Sequence, residues 1–235
     1  MLAYSSYSEN PLVKAKVSSV DSKIKELVEQ KDYPCIGALR AIKKGDYRVG
    51  VYKGFGTGHS SQLLKDDLLT FLTEQKKTDS AYLTFIASFP EDFILSETDF
   101  ENRLWQELSA VSALDQSPWD PQFSEDPKDK KFCFSLGGSA FFVVGLHAKS
   151  SRESRTFHYP TLIFNLYEQF EIITRLGQYE SMVDINRKKA LSFDGDVNPM
   201  VEKYGEMWES IQFSGKQNGK EWKCPFHRIM NKFST

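Results

Sequence analysis

Two apolar runs, residues 132–136 and 139–146, flank the pair Gly137-Gly138 and constrain the fold more than any other stretch of the chain. Continuous apolar segments bounded by turn residues read as buried strands, and paired glycines suit a primed two-residue turn. The spacing therefore predicts an antiparallel hairpin. The hairpin delivers His147, Ser151, Arg152 and Arg155 to its far end. Such a polar cluster sits at the rim of a core, where a site can be built.

The elements around it alternate in type. Val20, Ile24, Leu27 and Val28 recur at helical spacing, as do Leu64, Leu68, Phe71 and Leu72 in a helix opening near Ser61. Ser96 followed by Asp99 has the form of a capping box ahead of Phe100, Leu104, Leu108 and Val111. Residues 47–55 and 81–89 have strand composition. Leu162, Leu166, Phe170, Ile173 and Leu176 predict a helix stopping at Gly177, and residues 179–191 predict another. The pattern is α+β: a single domain over residues 15–235 with a mainly antiparallel sheet and several packed helices, preceded by a flexible segment at residues 1–14.

Charge and composition exclude several function classes. The 235 residues carry a net charge of -2 with the charges interspersed, so the basic stripe that marks nucleic-acid binding is missing. The longest apolar run, residues 140–146, is too short to span a bilayer, and no leader-like N-terminus is present, which predicts a cytoplasmic protein with no membrane partner. Cys35, Cys133 and Cys224 are odd in number and widely spaced, as expected of reduced thiols. The glycines of Gly54-Phe55-Gly56-Thr57-Gly58 read as a turn, because no Gly-Lys-Ser/Thr follows to hold a phosphate. Asp194-Gly195-Asp196 begins like a calcium loop and fails at the positions that must close it.

His147 stands at the end of a buried strand, where a neutral imidazole can ligate haem iron; a packed histidine with a hydrogen-bond partner is the alternative. Cys224, flanked by Trp222 and Phe226, offers a rival thiolate ligand or a buried free thiol. Arg152 and Arg155 can grip carboxylates in bidentate fashion, or make surface salt bridges. Cys35 reads as a packed thiol.

Several ordered blocks carry a family resemblance. They are FFVVGLH with Ser150-Ser151-Arg152 and Arg155, Pro160-Thr161-Leu162-Ile163-Phe164-Asn165, Glu168-Gln169-Phe170-Glu171, Asn198-Pro199-Met200, Gln212-Phe213-Ser214-Gly215 and Trp222-x-Cys224-Pro225-Phe226, with Tyr33-Pro34-Cys35-Ile36-Gly37-Ala38 upstream. Together they resemble the YqcI/YcgG family over residues 33–228. The family includes haem-dependent enzymes that N-hydroxylate guanidino groups. The resemblance implies haem b as cofactor, His147 or Cys224 as iron ligand, and Ser151, Arg152, Arg155, Trp222 and Phe226 as cofactor contacts. It also implies a guanidine- or amine-bearing substrate whose cation a carboxylate faces, Glu168 or Glu171, with an electron donor or peroxide as co-reactant. On the predicted helix Asn165 and Glu168 can share a face, as can Glu168 and Glu171, with plain solvation of either carboxylate as the alternative. Where the family commonly has proline after the histidine this chain has Ala148, which leaves φ free. A haem carrier or sensor without turnover is the alternative function. A homodimer is compatible with the aromatic content.

Overall fold

The structure is a computed structural model that describes residues 9–197, 209–219 and 221–227. The elements run α1 (Pro11–Val28), α2 (Ile36–Lys44), β1 (Tyr47–Val51), α3 (Ser61–Gln75), β2 (Thr84–Ser88), α4 (Glu97–Ala113), β3 (Phe134–Leu136), β4 (Ser139–Leu146), β5 (Thr161–Leu166), α5 (Tyr167–Arg175) and α6 (Tyr179–Phe193). The strands form one sheet in the order β1-β2-β5-β4-β3. Only β1 and β2 run parallel, joined by the α3 crossover; the other neighbours are antiparallel.

The hairpin forms as its glycines predict, with Gly137 and Gly138 at φ of 61° and 78° and Phe134 opposite Phe141. The helix α4 starts at the expected cap, where Ser96 Oγ accepts the Asp99 amide at 3.1 Å. Pro11 opens α1 behind the Asn10 cap, so residues 11–14 are helical rather than loose. Residues 1–8 lie outside the described residues. The stripe from Leu162 to Leu176 is not one helix. Residues 161–166 are the central strand β5, and α5 begins at Tyr167.

Strand alternation gives the sheet two faces with different covers. Phe85, Phe141, Val143, Leu162 and Phe164 point toward α3 and α4, where Phe71, Phe100, Leu104 and Trp105 complete an aromatic core. Ile86, Val144 and Ile163 point the other way, toward α1, α2, α5 and α6. The strand β3 is three residues long, so β4 outruns it and leaves an open edge. That edge is closed by Phe213, whose carbonyl accepts the Gly145 amide at 2.7 Å.

The 54–58 loop is a turn, as its sequence predicts. Its amides are taken by the protein's own carboxylates: Gly54 and Phe55 donate to Asp92 at 2.9 and 3.1 Å, and Gly56 donates to Glu107 at 2.8 Å. Glu107 is fully buried, and burial raises its pKa above the usual carboxylate range.

Candidate functional site

On the second face the helices do not close down on the sheet, and a cavity of about 360 Å³ remains. Its floor is Ile86, Val144 and Ile163. Ile42 of α2, Ile173 of α5 and Val183 of α6 form apolar walls. A mostly apolar chamber with a few polar groups is what a small-molecule or cofactor site requires.

The polar groups gather where α2, α6 and residues 152–155 meet. Arg155 lines the cavity, and its Nη1 donates to the Gly145 carbonyl at 3.1 Å. Burial lowers its pKa, and among the described residues no carboxylate lies within ion-pair reach. Arg187 of α6 also lines the cavity, and its buried Nε has no hydrogen-bond partner. Arg187 as a whole is half-buried, and a buried donor such as its Nε costs free energy until an acceptor arrives. Arg152 differs, because Asp194 and Asp196 hold it at 2.9 and 2.8 Å. Asp194 also accepts the Ser154 amide and hydroxyl at 2.8 and 2.7 Å, which ties the end of α6 to the loop after β4.

The YPC segment supplies the remaining wall. Cys35 caps α2, its Sγ accepting the Ala38 amide at 3.3 Å. Asn186 of α6 reaches across to accept the Ile36 amide at 2.9 Å. Tyr33 donates its hydroxyl to the Ser154 carbonyl at 3.2 Å, and burial pushes its pKa up, so the phenol stays protonated.

The residues expected at the site divide. Arg152, Arg155 and Asn165 line the cavity. Asn165 belongs to β5 rather than to a helix; its Oδ1 accepts the Thr84 hydroxyl at 2.9 Å. Glu168 is exposed on α5 and lines no part of the cavity, because the strand-to-helix change at residues 166–167 removes the helical face it was expected to share with Asn165. Asp194 is the only carboxylate lining the cavity among the described residues.

His147 is buried away from the cavity lining. It turns toward α4 and stacks on Phe100, with ring centroids 4.1 Å apart; its Nδ1 accepts the Lys149 amide at 3.2 Å, and its Nε2 is unpartnered. Cys224, Trp222 and Phe226 pack on the same side, against the aromatic core. Trp222 donates to Glu101 at 3.1 Å, and burial pushes the Cys224 thiol up to about 12. Ser151 is exposed and bonded to Glu97. Cys35, Arg187 and Asn186 carried no site signal in the sequence; of these only Cys35 lay in a family block. Among the described residues no group of three His, Cys, Asp or Glu could hold a metal ion, and no helix is long and apolar enough to cross a membrane.

Burial lowers the His147 pKa to about 4; Glu97 and Asp99 oppose that shift and Arg155 adds to it. A histidine depressed in the fold from an unfolded value near 6.5 is held neutral, so its contribution is complete above the unfolded value and is lost as pH falls toward 4. Between pH 7 and pH 5 the protein loses about 2 kcal/mol through this residue. Urea unfolding at the two pH values checks it. In His147→Asn that part of the pH dependence disappears.

A model of the YqcI/YcgG family matches residues 24–227, a span that contains the sheet, the cavity, Arg155 and Arg187. The chain belongs to the YqcI/YcgG family. It is 25% identical over 217 residues to the uncharacterized protein YqcI of Bacillus subtilis (strain 168), covering 87% of this chain and 84% of that protein. It is 23% identical over 226 residues to the uncharacterized protein YcgG of the same organism, covering 86% and 83%. No solved structure matches the chain. In this YqcI/YcgG chain the family's YPC block and the Arg152–Arg155 block, more than 100 residues apart in sequence, meet at one cavity.

Proposed function

We propose that this YqcI/YcgG protein is a haem-dependent oxygenase that N-hydroxylates a guanidine- or amine-bearing small molecule, with haem b seated between the sheet and α2, α5 and α6. The observation that carries the reading is the cavity itself: apolar walls around two guanidinium groups, Arg155 and Arg187, that lack carboxylate partners among the described residues. A flat apolar macrocycle bearing two carboxylates matches that donor set, since each arginine can take a carboxylate in bidentate form. Haem supplies the activation of dioxygen or peroxide for oxygen transfer to nitrogen.

The chain's own residues do the rest. Arg155 and Arg187 hold the carboxylates, and the sheet floor excludes water. Asn165 offers its amide beside the floor, fixed by Thr84. Asp194 takes the part expected of Glu168 in facing a substrate cation. Three of its acceptor sites are filled by Arg152 and Ser154, which leaves one free lone pair on Oδ1.

The test is mass spectrometry of arginine-like guanidines and amines incubated with haem-loaded protein and either peroxide or a reductant with dioxygen. The reading predicts a product heavier by one oxygen atom, absent with haem-free protein. Haem retained without any such product would instead support the carrier or sensor.

A further inference from the structure

Resting on the reading of the cavity as a ligand site, we propose that the N-terminal half of α6 is a lid over it, latched shut by Arg40, Tyr82 and Gln178, and that opening of this lid governs ligand entry. Tyr179, Met182 and Val183 line the cavity from the first turns of α6, and all three are half-buried. The single buried residue of the helix is Ala190, in its last turn. The wall that α6 gives the cavity is therefore packed least where the helix begins.

The two ends of α6 are held differently. At the C-terminal end the Asp194 side chain, 2% exposed, pairs with Arg152 and accepts the Ser154 amide and hydroxyl. Further back, Asn186 accepts the Ile36 amide. At the N-terminal end Gln178 is exposed, and its side chain makes no cap hydrogen bond to the helix. Its Oε1 instead accepts Arg40 Nη1 at 3.2 Å and the Tyr82 hydroxyl at 3.5 Å. Arg40 also donates to the Tyr82 hydroxyl, and its guanidinium stands 5.3 Å from the centre of the Tyr82 ring, with Lys44 Nζ at 5.5 Å. Tyr82 itself lines the cavity, so the cluster sits at the cavity's margin and joins α2, the loop before β2 and the start of α6.

Polar contacts open to water are weak and break readily, whereas the shielded bonds of Asp194 do not. The chain around the latch is built to move. Gly177 precedes α6 at a φ of 67°, with nothing within 4 Å of where a Cβ would stand. Met182 meets α2 at Gly37, where a Cβ would lie 3.9 Å from the Met182 methyl group, so a flexible thioether slides on a glycine and no side chains interlock. When the latch breaks, the first turns of α6 part from α2 while Asn186 and Asp194 hold the rest. The groups around Arg155, beside the anchored end, stay in place.

Hydrogen–deuterium exchange of the haem-free protein reads the lid, and stopped-flow haem binding reads its effect on entry. In Arg40→Met and Gln178→Ala, the amides of residues 182–186 are expected to exchange about 5- to 10-fold faster than in wild type, while those of residues 190–193 are unchanged. The latch closes over the empty and the loaded chamber alike, so haem association and dissociation accelerate together and Kd stays the same. Gln178→Glu gives Arg40 a carboxylate partner and slows both exchange and haem entry, a direction that poor folding does not mimic. Most of that slowing disappears in the double variant Arg40→Met with Gln178→Glu, which separates the latch from the effect of a carboxylate on a helix terminus. Unchanged exchange at residues 182–186 overturns the lid, as does acceleration spread evenly over α6 and the sheet. So does a slowing by Gln178→Glu that persists undiminished without Arg40, or a haem Kd that changes while the association rate does not. A protein that takes up no haem yet shows the expected exchange pattern overturns the haem reading and leaves the lid standing.

Discussion

Replacing Glu101 with alanine lowers the unfolding free energy by about 3–5 kcal/mol, because it strands a cluster of buried donors. Glu101 projects from α4 and is 4% exposed. Its Oε1 accepts Ser214 Oγ at 3.1 Å, Asn218 Nδ2 at 2.7 Å and Trp222 Nε1 at 3.1 Å, while Oε2 accepts Lys216 Nζ at 2.9 Å. One carboxylate thus gathers the described part of the C-terminal segment onto α4. That segment in turn closes the edge of β4 through Phe213. Urea unfolding measures the loss, and limited proteolysis shows new cleavage between residues 214 and 222. Glu101→Gln keeps one acceptor oxygen but sets an amide against one of the donors, so its cost falls between those of wild type and alanine. A midpoint unchanged in Glu101→Ala would show that the segment is held by its aromatic packing alone.

The second large effect is functional. On the proposed haem reading, Arg155→Met is expected to weaken haem binding by about 10- to 100-fold, the equivalent of one charge-assisted hydrogen-bond set worth roughly 1.5–3 kcal/mol. Methionine retains much of the apolar stem that passes Gly215, where a Cβ would meet Arg155 Cγ at 3.4 Å. It removes the guanidinium and its bond to the Gly145 carbonyl, worth roughly 1.5–3 kcal/mol, but it also removes the cost of burying that charge, so the two effects on stability offset each other. Haem titration followed by absorbance separates the two consequences. Affinity falls steeply while the unfolding midpoint moves little.

The sequence made legible what local chemistry decides. The glycine pair at 137–138 marks the hairpin, and Ser96 with Asp99 marks the start of α4, because turns and caps are written in a few adjacent residues. The misreading at residues 162–176 has a physical cause. Leu162, Leu166, Phe170 and Ile173 satisfy helical spacing, yet β5 is a central strand with a neighbour on each side, and such strands lose the alternation that would identify them. The helix α2 gives little sequence signal because it is short and carries Gly37 in its first turn.

Of the residues expected at a site, Arg152, Arg155 and Asn165 line the cavity, while the side of the sheet that holds it is not legible in the sequence. His147 follows a buried strand as a ligand would, but its ring turns to Phe100 and the α4 side. Arg187 sits in the run Asn186-Arg187-Lys188-Lys189, which reads as a solvated helix face, and only the packing of α6 over the sheet puts it in the chamber.

The central claim is that the cavity above Ile86, Val144 and Ile163 is where haem binds. Titrating haem into the purified protein and into Val144→Trp, whose indole fills the chamber from the sheet floor, tests it most directly. The wild type is predicted to bind one haem per chain with a shifted absorption band, and the filled variant, folded by circular dichroism, is predicted to bind none. Equal uptake by the two proteins, or uptake by neither, would contradict the account.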